Sequence, residues 1–233
     1  MRTGWQDGLR RTARRALLFA LGLVPVLAFS GCTTFESWGQ PAKGFVTPAI
    51  ARAYLPLEGA AYWVLEGRGA GMVIAPGVAV TNAHNSNLVD SKDVIGASSD
   101  YDLLFFHTHR QIPPPQALPW VGEKVIAYGE GMDGALRMAK GVVRWTDAPV
   151  VARCSGCGVQ HAFAFEADAG PGFSGGPVVD ARSGLMIGIV FGFRDHAPQT
   201  QGRLMYAYDM RLVMAELSAV RRAAAVLGPH AQR

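Results

Sequence analysis

The sequence predicts an all-β molecule of two packed β-barrels followed by a C-terminal α-helix, and three observations carry that prediction. Short apolar runs alternate with glycine-rich breaks through most of the 233 residues, with 28 glycines and only 17% charged residues. That is the pattern of a turn-rich β protein. The stretch QIPPPQALP at 111–119 cannot lie inside a sheet and reads as a connector between two halves. Residues 209–226, DMRLVMAELSAVRRAAAV, change to helical spacing. There Leu212, Val213, Leu217, Val220 and Ala224 fall on one face, Asp209 stands as a cap, and Gly228-Pro229 lie beyond the end.

In chain order the first element is an address. Arg10-Arg11 and Arg14-Arg15 precede the apolar run ALLFALGLVPVLAF at 16–29, then Ser30-Gly31-Cys32. A basic start, an apolar stretch too short for a comfortable membrane span and small residues before a cleavage point make 1–31 a secretory signal. Phe29-Ser-Gly-Cys32 resembles a bacterial lipoprotein box, which implies lipidation of Cys32. With Thr33 next, it implies attachment to the outer membrane facing the periplasm; an uncleaved anchor or ordinary cleavage is the alternative. Residues 32–47 read as a tether. The first half, 48–118 with the connector, offers strands at 61–67, 71–77, 78–84 and 102–108. The second half, 119–208, offers them at 123–131, 135–146, 161–167, 176–181, 185–193 and 203–209.

The net charge of +4 gives no evidence of a nucleic-acid surface. Five basic residues and one acidic residue fall in the leader, leaving 17 of each sign in the rest. If Cys32 carries lipid, Cys154 and Cys157 remain as an even pair in a compartment that permits disulfides. Their C-S-G-C spacing reads as a loop-clamping disulfide before redox chemistry or half a zinc site, because no second cysteine pair exists. No metal or other cofactor is expected.

Three segments carry chemistry. GPGFSGGPVVD at 170–180 presents Ser174 on a glycine-rich turn. A serine hydroxyl needs a base to become a useful nucleophile, and the turn's N–H groups, those of Gly172 and Ser174, can face a developing oxyanion. His84 ends the apolar run VAVTNAH and is the candidate base. Asp102 opens the buried run LLFF and is the candidate to orient the imidazole, with Asp100 as its competitor.

TNAH, Asp102-Leu103 and PGFSGGP together resemble the three active-site blocks of trypsin-like, chymotrypsin-fold serine peptidases, nearest the bacterial HtrA/Deg-like branch. The resemblance covers about residues 60–209 and implies two six-stranded-type barrels, peptide-bond hydrolysis through an acyl-enzyme, and protein or peptide substrates. It also puts Asp168, six residues before Ser174, at the base of a primary pocket that would favour Lys or Arg. Asp102 follows His84 by only 18 positions, so the first barrel is expected to be trimmed, and no PDZ-like module is expected to follow. G-x-S-x-G also occurs in α/β-hydrolases, but those run Ser, Asp, His, whereas here His and Asp precede Ser.

Overall fold

The structure is a computed structural model that describes residues 38–61, 65–131, 133–151, 159–195 and 203–227. The leader, Cys32 and the Cys154–Cys157 pair lie outside the described residues. The architecture is mostly β, in two antiparallel sheets, with a C-terminal helix, as the sequence predicts.

The first half is an open sheet of five strands: β2 (Tyr54–Ala61), β3 (Leu65–Ala75), β4 (Val78–Thr81), β5 (Val94–Ala97) and β6 (Leu104–His107), in the order β2-β3-β4-β6-β5. Pro76-Gly77 turns β3 into β4, with Gly77 at φ +72°, the conformation a tight turn asks of glycine. The trimmed first barrel is thus five strands that do not close, since no pairing joins β2 to β5 among the described residues.

The second half closes. Strands β7 (Lys124–Glu130), β8 (Leu136–Val151), β9 (Val159–Ala167), β10 (Pro177–Asp180), β11 (Met186–Arg194) and β12 (Leu204–Asp209) run in the order β8-β7-β10-β11-β12-β9, and β9 pairs back onto β8. The long β8 makes this possible: its first part pairs with β7 and its later part with β9, across two register shifts. Val125, Val143, Phe163, Phe165, Phe173 and Ile187 fill the interior. A second apolar cluster joins the halves, with Met72, Val80 and Phe105 meeting Tyr128, Ile189 and Tyr208.

The structure corrects several sequence expectations. The tether is not free along its described part. Gln40–Pro41 form β1, paired with β8, and Ala42 is buried against the same strand's start. A helix α1, Pro48–Ala53, follows, capped by the Thr47 hydroxyl on the Ile50 N–H. The run read as one strand at 61–67 instead holds the end of β2 and the start of β3, with 62–64 outside the described residues. Strand β2 was hidden because Pro56 and Gly59 argue against a strand, and β2 is an edge, where proline is tolerated. β5 falls between the runs at 78–84 and 102–108 that the sequence marks as strands; it too is an edge. The connector is extended, and Gln116 makes one parallel bridge to Met186 at the start of β11.

Helix α2, Met210–Leu227, is capped by Asp209, whose Oδ1 accepts the Leu212 N–H at 2.9 Å. Val213, Leu217 and Val220 are buried, but Ala224 is exposed, so the packed face ends a turn earlier than the sequence pattern suggests. The helix lies along β5: Ser98 donates to Glu216 Oε2 at 2.7 Å, and a Cβ on Gly96 would stand 2.7 Å from Val220. No helix among the described residues is long and apolar enough to cross a membrane.

Candidate active site

His84 lies in a 3₁₀ turn, Ala83–Leu88, directly after β4. Apolar β4 is fully buried, so the chain leaves the core at Thr81-Asn82 and brings the next residue to the surface. The His84 side chain is 46% exposed, while the Asp102 side chain is 9% exposed. One carboxylate grips the histidine twice: Asp102 Oδ1 accepts the His84 backbone N–H at 3.0 Å, and Oδ2 stands 2.6 Å from His84 Nδ1. The pair is fixed in distance and in ring orientation, the arrangement that holds an imidazole with Nε2 outward.

Asp102 is itself held from three sides. Its carbonyl accepts from Asn82 Nδ2 at 2.9 Å, and its N–H donates to the Tyr208 hydroxyl at 3.2 Å. Tyr208 in turn donates to Gln160 Oε1, and Gln160 Nε2 donates to the Asp100 carbonyl at 2.6 Å. Burial drives the Tyr208 phenol well above its usual range, so the hydroxyl keeps its proton and remains a donor to Gln160. Asp100, the competitor for the acidic role, is exposed and contributes only its backbone.

Ser174 is brought to the same place by its main chain. Its carbonyl accepts the Ala70 N–H at 3.0 Å and Asn85 Nδ2 at 3.3 Å, and Asn85 follows His84 by one residue. The approach is close: a Cβ on Gly175, at φ +80°, would sit 2.0 Å from the Ala70 carbonyl and 2.4 Å from Thr81 Oγ1. Only glycine allows the Ser174 turn to dock this tightly on the first half. The Ser174 hydroxyl makes no hydrogen bond among the described residues, to His84 or to any other group.

The turn around Ser174 is internally tied. Gly172 stands at φ +90° with its carbonyl accepting the Glu130 N–H, and Phe173 N–H donates to Gly170. Phe173 is fully buried in the closed barrel. The N–H groups of Gly172 and Ser174 donate no hydrogen bond among the described residues. They are available to an incoming anion.

Asp168 is exposed and lines a cavity of about 710 Å³ on the flank of the closed barrel, with Lys124, Lys140 and Arg144 around it. His84, Asp102 and Ser174 are not among the residues lining that cavity. Sequence reading missed Asn82, Asn85, Gln160 and Tyr208. The two asparagines flank His84 and could have been noticed as polar residues interrupting a buried run. Gln160 and Tyr208 are far away in sequence and carried no signal.

No protein-family model matches the chain, and no curated protein does. Solved structures do. The active form of the Rv3671c protease from M. tuberculosis superposes with a TM-score of 0.60 at 20% identity, covering 78% of this chain and 88% of that one. The HtrA-type protease AlgW with tripeptide gives 0.58 at 18%, covering 74% of this chain and 62% of that one. The MamO protease domain from Magnetospirillum magneticum gives 0.55 at 19%, covering 73% and 98%. At this identity the likeness concerns architecture alone, and the chain has the fold of the trypsin-like serine proteases.

Proposed function

We propose that the protein is a serine endopeptidase with His84, Asp102 and Ser174 as its triad and the N–H groups of Gly172 and Ser174 as its oxyanion hole. The observation that carries the reading is the double grip of Asp102 on His84. A buried carboxylate that fixes both the main chain and the ring of an exposed histidine has little purpose beyond orienting that ring.

In the reaction, Ser174 Oγ attacks the carbonyl carbon of the scissile bond while His84 Nε2 takes its proton. The resulting imidazolium is balanced by Asp102. The carbonyl oxygen becomes an oxyanion between the two N–H groups, each such donor contributing about 2.7–4 kcal/mol. Collapse of the tetrahedral species breaks the C–N bond as His84 returns the proton to the departing amine, leaving an acyl-enzyme. Water, deprotonated by His84, then releases the acid and restores Ser174. Because the Ser174 hydroxyl makes no hydrogen bond to His84 among the described residues, attack requires it to come within reach of Nε2.

Peptides are the proposed substrates, a reading supported by the tripeptide in the AlgW structure. No cofactor takes part. A primary pocket based on Asp168 would favour Lys or Arg, but Asp168 lines a cavity that His84 and Ser174 do not line, and Lys124, Lys140 and Arg144 line it too. We also propose that the chain is exported and held at the outer membrane, facing the periplasm, through lipidated Cys32.

A catalytically silent scaffold is the second reading, favoured by the absence of a Ser174–His84 hydrogen bond. Labelling with a fluorophosphonate decides between them. The wild-type protein is expected to label at Ser174, with His84→Ala slower by up to about 10⁶-fold and Ser174→Ala giving only background. Wild-type labelling no faster than Ser174→Ala leaves only the scaffold.

A further inference from the structure

The oxyanion loop rests on a residue from the N-terminal segment. Arg203, at the entry to β12, is sandwiched between two aromatic rings: its guanidinium lies 3.6 Å from the Trp38 ring centroid and 4.3 Å from that of Phe193. The same guanidinium donates from Nη1 to the Ala169 carbonyl at 2.9 Å and from Nε to Asp195 Oδ1 at 2.6 Å. Its side chain is only 12% exposed, so the stack is largely sheltered from water, where cation–π attraction is strongest.

Trp38 and Arg203 also close over Gly170. A Cβ there would lie 2.4 Å from Arg203 Nη1 and 2.6 Å from Trp38 Cγ. One residue on, Gly39, at φ +70°, is pressed between the Met138 carbonyl and the Phe173 ring. β1 then fixes this segment by pairing Gln40 with Met138. Contacts from residues 38–40 therefore reach Gly170 and Phe173 directly and Ala169 through Arg203. These flank Gly172 and lead into Ser174, whose N–H groups are the proposed oxyanion donors. Within the loop itself, the ties are two turn bonds, Phe173 N–H to Gly170 and Gly176 N–H to Phe173, and β7 adds the Glu130–Gly172 bond. The rest of its support comes from outside.

We propose that Trp38, acting through Arg203, is a positioning residue for the oxyanion hole, so that docking of the N-terminal segment sets the competence of Ser174. This rests on the peptidase reading above. Packing alone does not describe the contact, because Trp38 meets the loop through a ring face that holds a cation, and the cation holds the Ala169 carbonyl. Leucine in place of tryptophan keeps apolar bulk and removes that face; phenylalanine keeps the face.

The test compares full-length wild type, Trp38→Leu, Trp38→Phe and Ser174→Ala in saturation kinetics of fluorophosphonate labelling. The limiting rate, the half-saturation concentration and the fraction finally labelled are read separately. Trp38→Leu is expected to lower the limiting rate at least tenfold, with half-saturation within about twofold and the labelled fraction unchanged, since loss of an oxyanion donor costs about 10²–10³. Trp38→Phe is expected to recover most of that rate. A limiting rate for Trp38→Leu equal to wild type overturns the proposal. So does a loss confined to the labelled fraction, which would mean plain unfolding, or a Trp38→Phe variant no better than Trp38→Leu. If wild type itself labels no faster than Ser174→Ala, the peptidase reading falls, and this inference with it.

Discussion

The two halves of the molecule solve the same problem differently. The second half closes on itself, with β9 returning to β8, so every barrel strand has two neighbours and Phe163, Phe165 and Phe173 pack inside. The first half stops at five strands and leaves two edges, β2 and β5. It relies on elements from elsewhere in the chain: α2 covers β5 through Val220 and Glu216, while Tyr208 of β12 holds Asp102. The proposed nucleophile, Ser174, sits on the self-sufficient half, and the proposed base and carboxylate, His84 and Asp102, on the dependent one. Stability and catalytic geometry should therefore respond differently to damage in each.

The largest contrast is expected from truncating one buried residue on each side. Ile187→Ala in the barrel interior and Leu217→Ala in α2 should each cost about 2–5 kcal/mol in denaturant unfolding, both sites being at most 2% exposed. Only Leu217→Ala should also slow labelling of Ser174 in the folded fraction, because only that site supports the half carrying His84. Equal rates in the two variants would mean that the open sheet stands by itself.

A smaller effect is expected from Tyr208→Phe. It removes the hydroxyl that accepts the Asp102 N–H and donates to Gln160 Oε1, a loss of about 1–3 kcal/mol in stability. The labelling rate should drop roughly tenfold, equivalent to about 1.4 kcal/mol. A variant that loses stability but keeps its rate would show that Asn82 and His84 suffice to place the carboxylate.

The smallest concerns the seam between the halves. Burial pushes the Glu130 carboxyl above the usual carboxylate range, with Arg68 pulling the other way. The folded state then holds that proton more tightly than the unfolded one. Its contribution to stability is complete below the ordinary carboxylate pKa of about 4 and disappears as pH rises through the raised value. Glu130→Gln should flatten unfolding free energy over that range. Glu123, raised by burial as well, should leave a remnant of the slope. An unchanged profile would place the titration elsewhere.

The site was legible wherever chemistry demands a local pattern. Glycines around Ser174 and the buried runs ending at His84 and beginning at Asp102 can be read from neighbours in sequence. What supports those residues could not. Tyr208 reaches Asp102 across 106 positions, and Gln160 reaches Asp100 across 60, so neither leaves a trace in spacing. Among strands, the ones missed were edges: β2 interrupted by Pro56 and Gly59, β5 short and half-exposed. Edges lack the continuous apolar signal that two-sided burial imposes. Trp38 was assigned to a tether because the scattered aromatics Phe35, Trp38 and Phe45 carry no period.

Tyr208 lies 106 positions after Asp102, and α2 follows it, an order with a bearing on biosynthesis. A ribosome releasing this protein finishes the residues around His84 and Asp102 long before it makes the phenol and helix that brace them. Such distant pairings are slow to form. An incomplete or threading chain thus carries its would-be base and carboxylate unbraced, and full reactivity waits for β12 and α2.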